Sequence, residues 1–135
     1  MTLRINSTAP DFKAETTHGD MESFHEWKKG KWAILFSHPA DFTPVCTTEF
    51  VALARAAGDF AERDCALMAL SVDSLFSHFA WLRMIRDRFD VEVRFPILED
   101  PTLVIGRGYG MVAPGDSDSG AVRSTFFIDP EGVIR

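Results

Sequence analysis

Apolar residues fall into two kinds of run along this chain. Trp32-Ala-Ile-Leu-Phe-Ser37 and Cys65-Ala-Leu-Met-Ala-Leu-Ser-Val72 are short and almost continuously apolar, the pattern of buried strands. Between them, from Pro44 to Arg63, Phe50, Leu53, Ala54, Ala57 and Ala61 repeat at three- and four-residue spacing, which predicts a helix. A second helix is predicted from about Leu75 to Phe89, with Leu75, Phe79, Leu82, Ile85 and Phe89 on one face. Arg94-Phe-Pro-Ile-Leu98 reads as a short strand, which Pro96 marks as an edge or irregular one. Ser124-Thr-Phe-Phe-Ile-Asp129 reads as another strand. The stretch up to Gly30 is mixed and turn-rich, and Thr17-His18-Gly19-Asp20 suits a hairpin turn.

Apolar strands alternating with helices predict an α/β domain whose central sheet is covered on both faces. The first strand–helix–strand crossover is expected to be parallel and right-handed. Asp129-Pro130-Glu131-Gly132 has the form of a type I turn, and Val133-Ile134-Arg135 opens a return strand. Three residues of strand leave the neighbour underpaired and one sheet face uncovered. Residues 1–135 therefore read as a single domain, incomplete at its C-terminal end.

Composition narrows the class. Fourteen Lys+Arg against twenty Asp+Glu give a net charge of −6, which disfavours nucleic acid and anionic membranes as partners. Apolar residues at 46% make disorder a poor description. The start has no apolar signal region, and the run from Trp32 to Phe36 is far too short to span a bilayer, so a cytoplasmic protein is expected. Two cysteines, Cys46 and Cys65, are too few for a disulfide framework. His18, His25, His38 and His78 have no metal-ligand spacing, which argues against a metal site, and no organic cofactor is expected. Gly106-Arg-Gly-Tyr-Gly110 lacks the context of a dinucleotide fingerprint. Asp116-Ser-Asp-Ser-Gly120 has too few ligands for a calcium loop and reads as a solvated loop.

The chemistry concentrates in Ser37-His-Pro-Ala-Asp-Phe-Thr-Pro-Val-Cys-Thr-Thr-Glu49, between the first strand and the first long helix. Thr43 suits the N-cap and Pro44 the first helical position, which puts Cys46 in the first turn. The free N–H groups and positive dipole end there favour thiolate over thiol. Glu49 acts against a thiolate unless a cation holds it, so the site requires an arginine from elsewhere. The Thr43 hydroxyl is placed to donate to, or accept from, whatever approaches the sulfur. On capping alone, Cys46 is either a reactive thiolate or a small buried hydrophobe. Cys65 opens an apolar strand and reads as an inert buried thiol, a poor resolving partner for Cys46.

The spacing Pro39-x-x-x-Thr43-x-x-Cys46 within Phe36 to Glu49 resembles the peroxidatic-cysteine loop of the peroxiredoxins, the AhpC/TSA family, and its wording is most similar to the one-cysteine, peroxiredoxin 6-like subfamily. Ala9-Pro-Asp-Phe12, Ala69-Leu-Ser-Val-Asp-Ser74 with His78-Phe-Ala-Trp81, Phe95-Pro-Ile-Leu-Glu-Asp100 and Arg123-Ser-Thr-Phe-Phe-Ile-Asp129 extend the resemblance over almost the whole chain. It implies a thioredoxin-like α/β fold: a mixed central sheet flanked by helices, an N-terminal hairpin, and the last strand and helix missing from these residues. It implies Cys46 as peroxidatic nucleophile, Thr43 bonding the peroxide, Pro39 shielding the thiolate, and Arg123 stabilising charge, with Glu49 orienting the arginine and His38 in support. The implied reaction reduces hydrogen peroxide and alkyl hydroperoxides through a cysteine sulfenic acid. An external thiol of glutathione or thioredoxin type re-reduces it, in a homodimer or larger homo-oligomer. Lys28-Lys-Gly-Lys-Trp32 lacks the serine of the lipase-type motif found in some animal members, so no phospholipase activity is expected.

Two other classes fit the same loop. A cysteine hydrolase or acyltransferase would use His38 as base, which needs its imidazole within hydrogen-bond reach of the sulfur. A redox sensor would change partners on oxidation instead of clearing peroxide. A fragment that keeps the site sequence without a stable site is the remaining reading.

Overall fold

A computed structural model describes residues 3–112 and 123–135. The acidic stretch 116–120 lies outside the described residues. A hairpin of β1 (Ala14–Thr16) and β2 (Gly19–Met21) turns at Thr17-His18, with Gly19 at φ 105°. A short helix, α1 (Phe24–Lys28), leads into β3 (Trp32–Ser37), α2 (Pro44–Glu62), β4 (Cys65–Ser71) and α3 (Leu75–Phe89). β5 (Ile97–Glu99), the short α4 (Val104–Gly108) and β6 (Thr125–Ile128) complete the order. The strands form one mixed sheet in the order β2-β1-β5-β4-β3-β6. β3, β4 and β5 run parallel, whereas β1 and β6 pair antiparallel with β5 and β3. This is the thioredoxin-like architecture with an N-terminal hairpin.

Alternation along the strands divides the core. Ala33, Leu35, Met68, Leu70, Leu98 and Ile128 pack on one face with Phe24 and Tyr109. Phe36, Leu67, Ala69 and Ile97 pack on the other with Cys46 and Phe50 of α2 and Trp81 and Ile85 of α3. β3 and β4 are apolar almost throughout because both of their faces are used.

Four expectations change. Pro96 does not mark an edge. It precedes β5, which lies inside the sheet between β1 and β4, and the Pro96 carbonyl accepts the Ala69 N–H at 3.0 Å. A proline just outside the strand costs the ladder no donor. The buried face of α3 is His78, Trp81 and Ile85, with Leu82 partly covered, whereas Phe79 and Phe89 are exposed. A buried histidine bonded on both ring nitrogens sets the rotation of that helix. Ala61 is exposed at the end of α2. Cys65 is half-buried.

The turn at residues 129–132 closes through Gly132 N–H to Asp129 O at 2.9 Å, and Ile134 bridges back to Ile128. β6 is the edge strand, with Phe127 50% exposed. Phe127 faces a groove of about 500 Å³ whose other walls include Ile34, Phe36, Leu53 and Phe60.

Candidate active site

The loop of residues 38–43 leaves the C-terminal end of β3, where open parallel sheets place their sites. It makes few backbone bonds of its own. His38 N–H reaches Leu70 O at 3.1 Å, and Asp41 N–H reaches a carboxylate oxygen of Asp73 at 2.6 Å. Phe42 has φ 65°, a left-handed conformation that a side chain this large adopts only when its surroundings compel it. Thr43 then caps α2 with extended backbone, and Pro44 occupies the first helical position. The first helical bond runs from Thr47 N–H to Thr43 O at 2.9 Å. The amides of Val45 and Cys46 therefore have no intrahelical acceptor.

Cys46 is fully buried in this turn. Arg123, just before β6, donates from Nη2 to the Cys46 sulfur at 2.9 Å. The other arm of the same guanidinium, Nη1, meets Glu49 Oε2 at 2.6 Å. The fork spans one helical turn, so the carboxylate three residues after the cysteine holds the arginine against the sulfur. Glu49 and Arg123 are 48% and 38% exposed, so the charges sit at a mouth beside a sulfur that does not reach solvent. The sulfur thus sits at a helix N-terminus with a cation beside it.

The Thr43 hydroxyl donates to Ala40 O at 2.9 Å and does not cap its own helix. Its hydrogen is committed, so its oxygen is left as an acceptor only. Pro39 is half-buried, between His38 and Ala40 of the same loop. His38 is buried and its Nε2 meets Asp41 Oδ1 at 2.7 Å, while Nδ1 has no partner. Among the described residues His38 makes no hydrogen bond to Cys46, which removes the geometric support for a hydrolase with His38 as base. His38, Asp41 and Asp73 bring three potential metal-binding atoms within 4.8 Å of one another. Hydrogen bonds among these residues already engage them.

Sequence reading missed the support beneath the loop. Asp41 is buried and accepts from His38 on Oδ1, and from Ser77 Oγ (3.0 Å) and His78 Nδ1 (2.6 Å) on Oδ2. Burial acts to raise the Asp41 pKa, but the bonds and charge of the two histidines outweigh it and hold the carboxyl down at about 2. Trp81 Nε1 donates to Thr47 Oγ1 at 3.0 Å, and that hydroxyl donates to Thr43 O at 2.8 Å, which ties α3 to the first turn of α2. The sequence signal was a histidine and a tryptophan three residues apart, interrupting an apolar helix face.

The sequence profile of the AhpC/TSA family matches residues 5–135. A peroxiredoxin of Aquifex aeolicus is 48% identical over 132 residues, covering 98% of this chain and 59% of its own length. A peroxiredoxin of Methanosarcina mazei is 47% identical over 137 residues, covering 97% and 62%. The structure of a yeast mitochondrial 1-Cys peroxiredoxin superposes with a TM-score of 0.90 at 42% identity, over 99% of this chain and 66% of that one. A Cys-to-Ser mutant of the peroxiredoxin 6 of Arenicola marina gives 0.89 at 34% identity, over 98% and 63%. The chain thus spans about three-fifths of the length of the curated relatives it matches. It belongs to the AhpC/TSA family, the peroxiredoxins.

Proposed function

We propose that this chain is a thiol peroxidase that reduces hydrogen peroxide and alkyl hydroperoxides at Cys46. The observation that carries the reading is the Arg123 guanidinium shared between the Cys46 sulfur and Glu49. The thiolate attacks one peroxide oxygen, the S–O bond forms as the O–O bond breaks, and Cys46 becomes a sulfenic acid. The departing oxygen takes the electron pair, and solvent protonates it to water or an alcohol. Arg123 and the free amides of the first turn stabilise the charge that develops on it, while the Thr43 oxygen accepts the peroxide hydrogen. Pro39 limits water at the sulfur. Two equivalents of external thiol then reduce the sulfenic acid, releasing a disulfide and water. The description of the yeast relative as resolved through glutathione and thioredoxin systems supports a reductant of that type. Cys65 is no resolving thiol. It pairs with Trp32 at the start of β3, so roughly 17 Å of strand separates it from the loop at about 3.3 Å per residue. Exposed Phe42, Val45, Phe76 and Phe79, on the loop, α2 and α3, support self-association. With both cysteines free, the cytoplasm suits the protein.

The test is one equivalent of hydrogen peroxide with a sulfenic-acid trap, followed by intact mass and peptide mapping. A single adduct on Cys46, lost in Arg123→Ala, is expected. No adduct on a chain shown to be folded overturns the reading.

A further inference from the structure

The strongest unassigned chemistry lies one layer behind the sulfur, at His78. This side chain, in the first turns of α3, is fully buried. Its Nδ1 lies 2.6 Å from Asp41 Oδ2 and its Nε2 lies 3.2 Å from Leu98 O. A carboxylate and a carbonyl only accept, so both bonds exist together only when both ring nitrogens carry hydrogen. Asp41, held down at about 2, is the carboxylate and not the donor. Its other oxygen already takes His38 Nε2, so both carboxylate oxygens are engaged.

We infer that His78 is a doubly protonated positioning residue whose ion pair with Asp41 fixes the active-site loop for attack by Cys46. The inference rests on the peroxidase reading. The loop is pinned almost wholly from the β4–α3 side: Asp73 takes the Asp41 amide, Ser77 donates to Oδ2, and His78 donates to the same oxygen while anchoring to β5. Asp41 stands two residues before Thr43 and five before Cys46, so its position sets where the Thr43 oxygen and the first turn of α2 lie. Beside His78 lie Asp41 and His38 of the loop, the two imidazole centroids 6.3 Å apart, while Asp73 and Glu99 take the Asp41 and Leu75 amides at 2.6 and 3.0 Å. Ring-nitrogen bonds that demand a cation, beside a carboxylate already shared with a second histidine, give the loop one arrangement.

Histidine ¹⁵N spectra of the unaltered chain at neutral pH count ring hydrogens without reference to activity. Two protonated nitrogens on His78 are expected, and a singly protonated His78 overturns the inference. Stopped-flow oxidation of Cys46 by peroxide is then compared in His78→Gln and Ser77→Ala. A loss of about 10²-fold in the first is expected, the scale of an ångström of misplacement, with a smaller loss in the second. Ser77→Ala keeps the test decisive should His78→Gln not fold. Unchanged rates in folded variants overturn the positioning role. Failure of the unaltered chain to form a sulfenic acid overturns the peroxidase reading and leaves the proton count standing.

Discussion

The two cysteines occupy opposite ends of the same sheet and have opposite surroundings. Cys46 sits past the C-terminal end of β3, has no solvent exposure, and holds a guanidinium at 2.9 Å. Cys65 begins β4 and is half-buried. It borders a cavity of about 340 Å³ walled in part by Trp27, Ala57, Phe95 and Pro96. Among the described residues its thiol bonds the neighbouring Ala66 carbonyl, at 3.9 Å, and burial pushes its pKa up. The more accessible sulfur is thus the one that burial holds as a thiol, and in the proposed function charge and helix polarity, not exposure, mark the nucleophile.

Exchanging the cysteines for serine one at a time is the sharpest way to break that contrast. Cys46→Ser is expected to lower peroxide consumption by at least about 10³-fold, as removal of a nucleophile does. Cys65→Ser is expected to leave it within about twofold, since the sheet keeps the two sulfurs apart. A large loss in Cys65→Ser, in a variant that melts normally, would assign that thiol a role in turnover.

The second contrast is electrostatic: the Cys46 end rests on buried charge and the Cys65 end does not. Asp41→Asn leaves His78 facing an amide and is expected to destabilise the fold by about 3–5 kcal/mol near neutrality, the cost of breaking a buried pair. The pH dependence has a definite sign. Asp41 has a depressed folded-state pKa of about 2, so its contribution is complete above the ordinary carboxylate value and is lost as pH falls through 2. The stability gap between the parent chain and Asp41→Asn should narrow between about pH 4 and 2, as the Asp41 carboxylate takes up its proton. Urea unfolding across that range measures it. A gap that does not narrow over that range would mean that Asp41 is not the ionised member of the network.

Much of this arrangement was legible in the residues. Continuous apolar runs specify strands with two buried faces, and the Thr43-Pro44 start specifies where α2 begins and why Cys46 lies in its first turn. The need for an arginine followed from Glu49 itself, and the resemblance supplied Arg123. What could not be read was rotation and reach. The face α3 buries is set by His78 bonding to residues 37 and 20 positions away, and no local period encodes that. Pro96 looks like a strand breaker until the residue beside it begins an inner strand. The Thr43 hydroxyl suits a cap by type, yet the turn brings Ala40 O closer to it than the helix amides.

Arg123→Ala comes next in size. Loss of the guanidinium is expected to cost about 10²–10³-fold in the second-order rate with peroxide, the range for an oxyanion-stabilising donor. Arg123→Lys is expected to restore only part of it, because a single ammonium cannot meet the sulfur and Glu49 with the geometry of a fork. Full recovery in the lysine variant would reduce the role of Arg123 to that of a point charge.

The smallest effect should come from Glu49, whose carboxylate both helps and hinders the thiolate. It holds Arg123 Nη1 at 2.6 Å, which aims Nη2 at the sulfur. The same negative charge lies one helical turn from the thiolate and disfavours it. Glu49→Gln removes the repulsion and keeps a side chain able to accept one hydrogen bond, so most of the aim survives. With both partners more than a third exposed, solvent screens the attraction and the repulsion alike. A loss of about threefold in the peroxide rate is expected, set by lost orientation slightly exceeding relieved repulsion. Raising the salt should slow the parent chain and leave Glu49→Gln nearly unchanged, because only the parent has an ion pair at the mouth to screen. A rate gain in Glu49→Gln would show that repulsion outweighs orientation, and that the helix N-terminus positions the arginine well enough without its carboxylate.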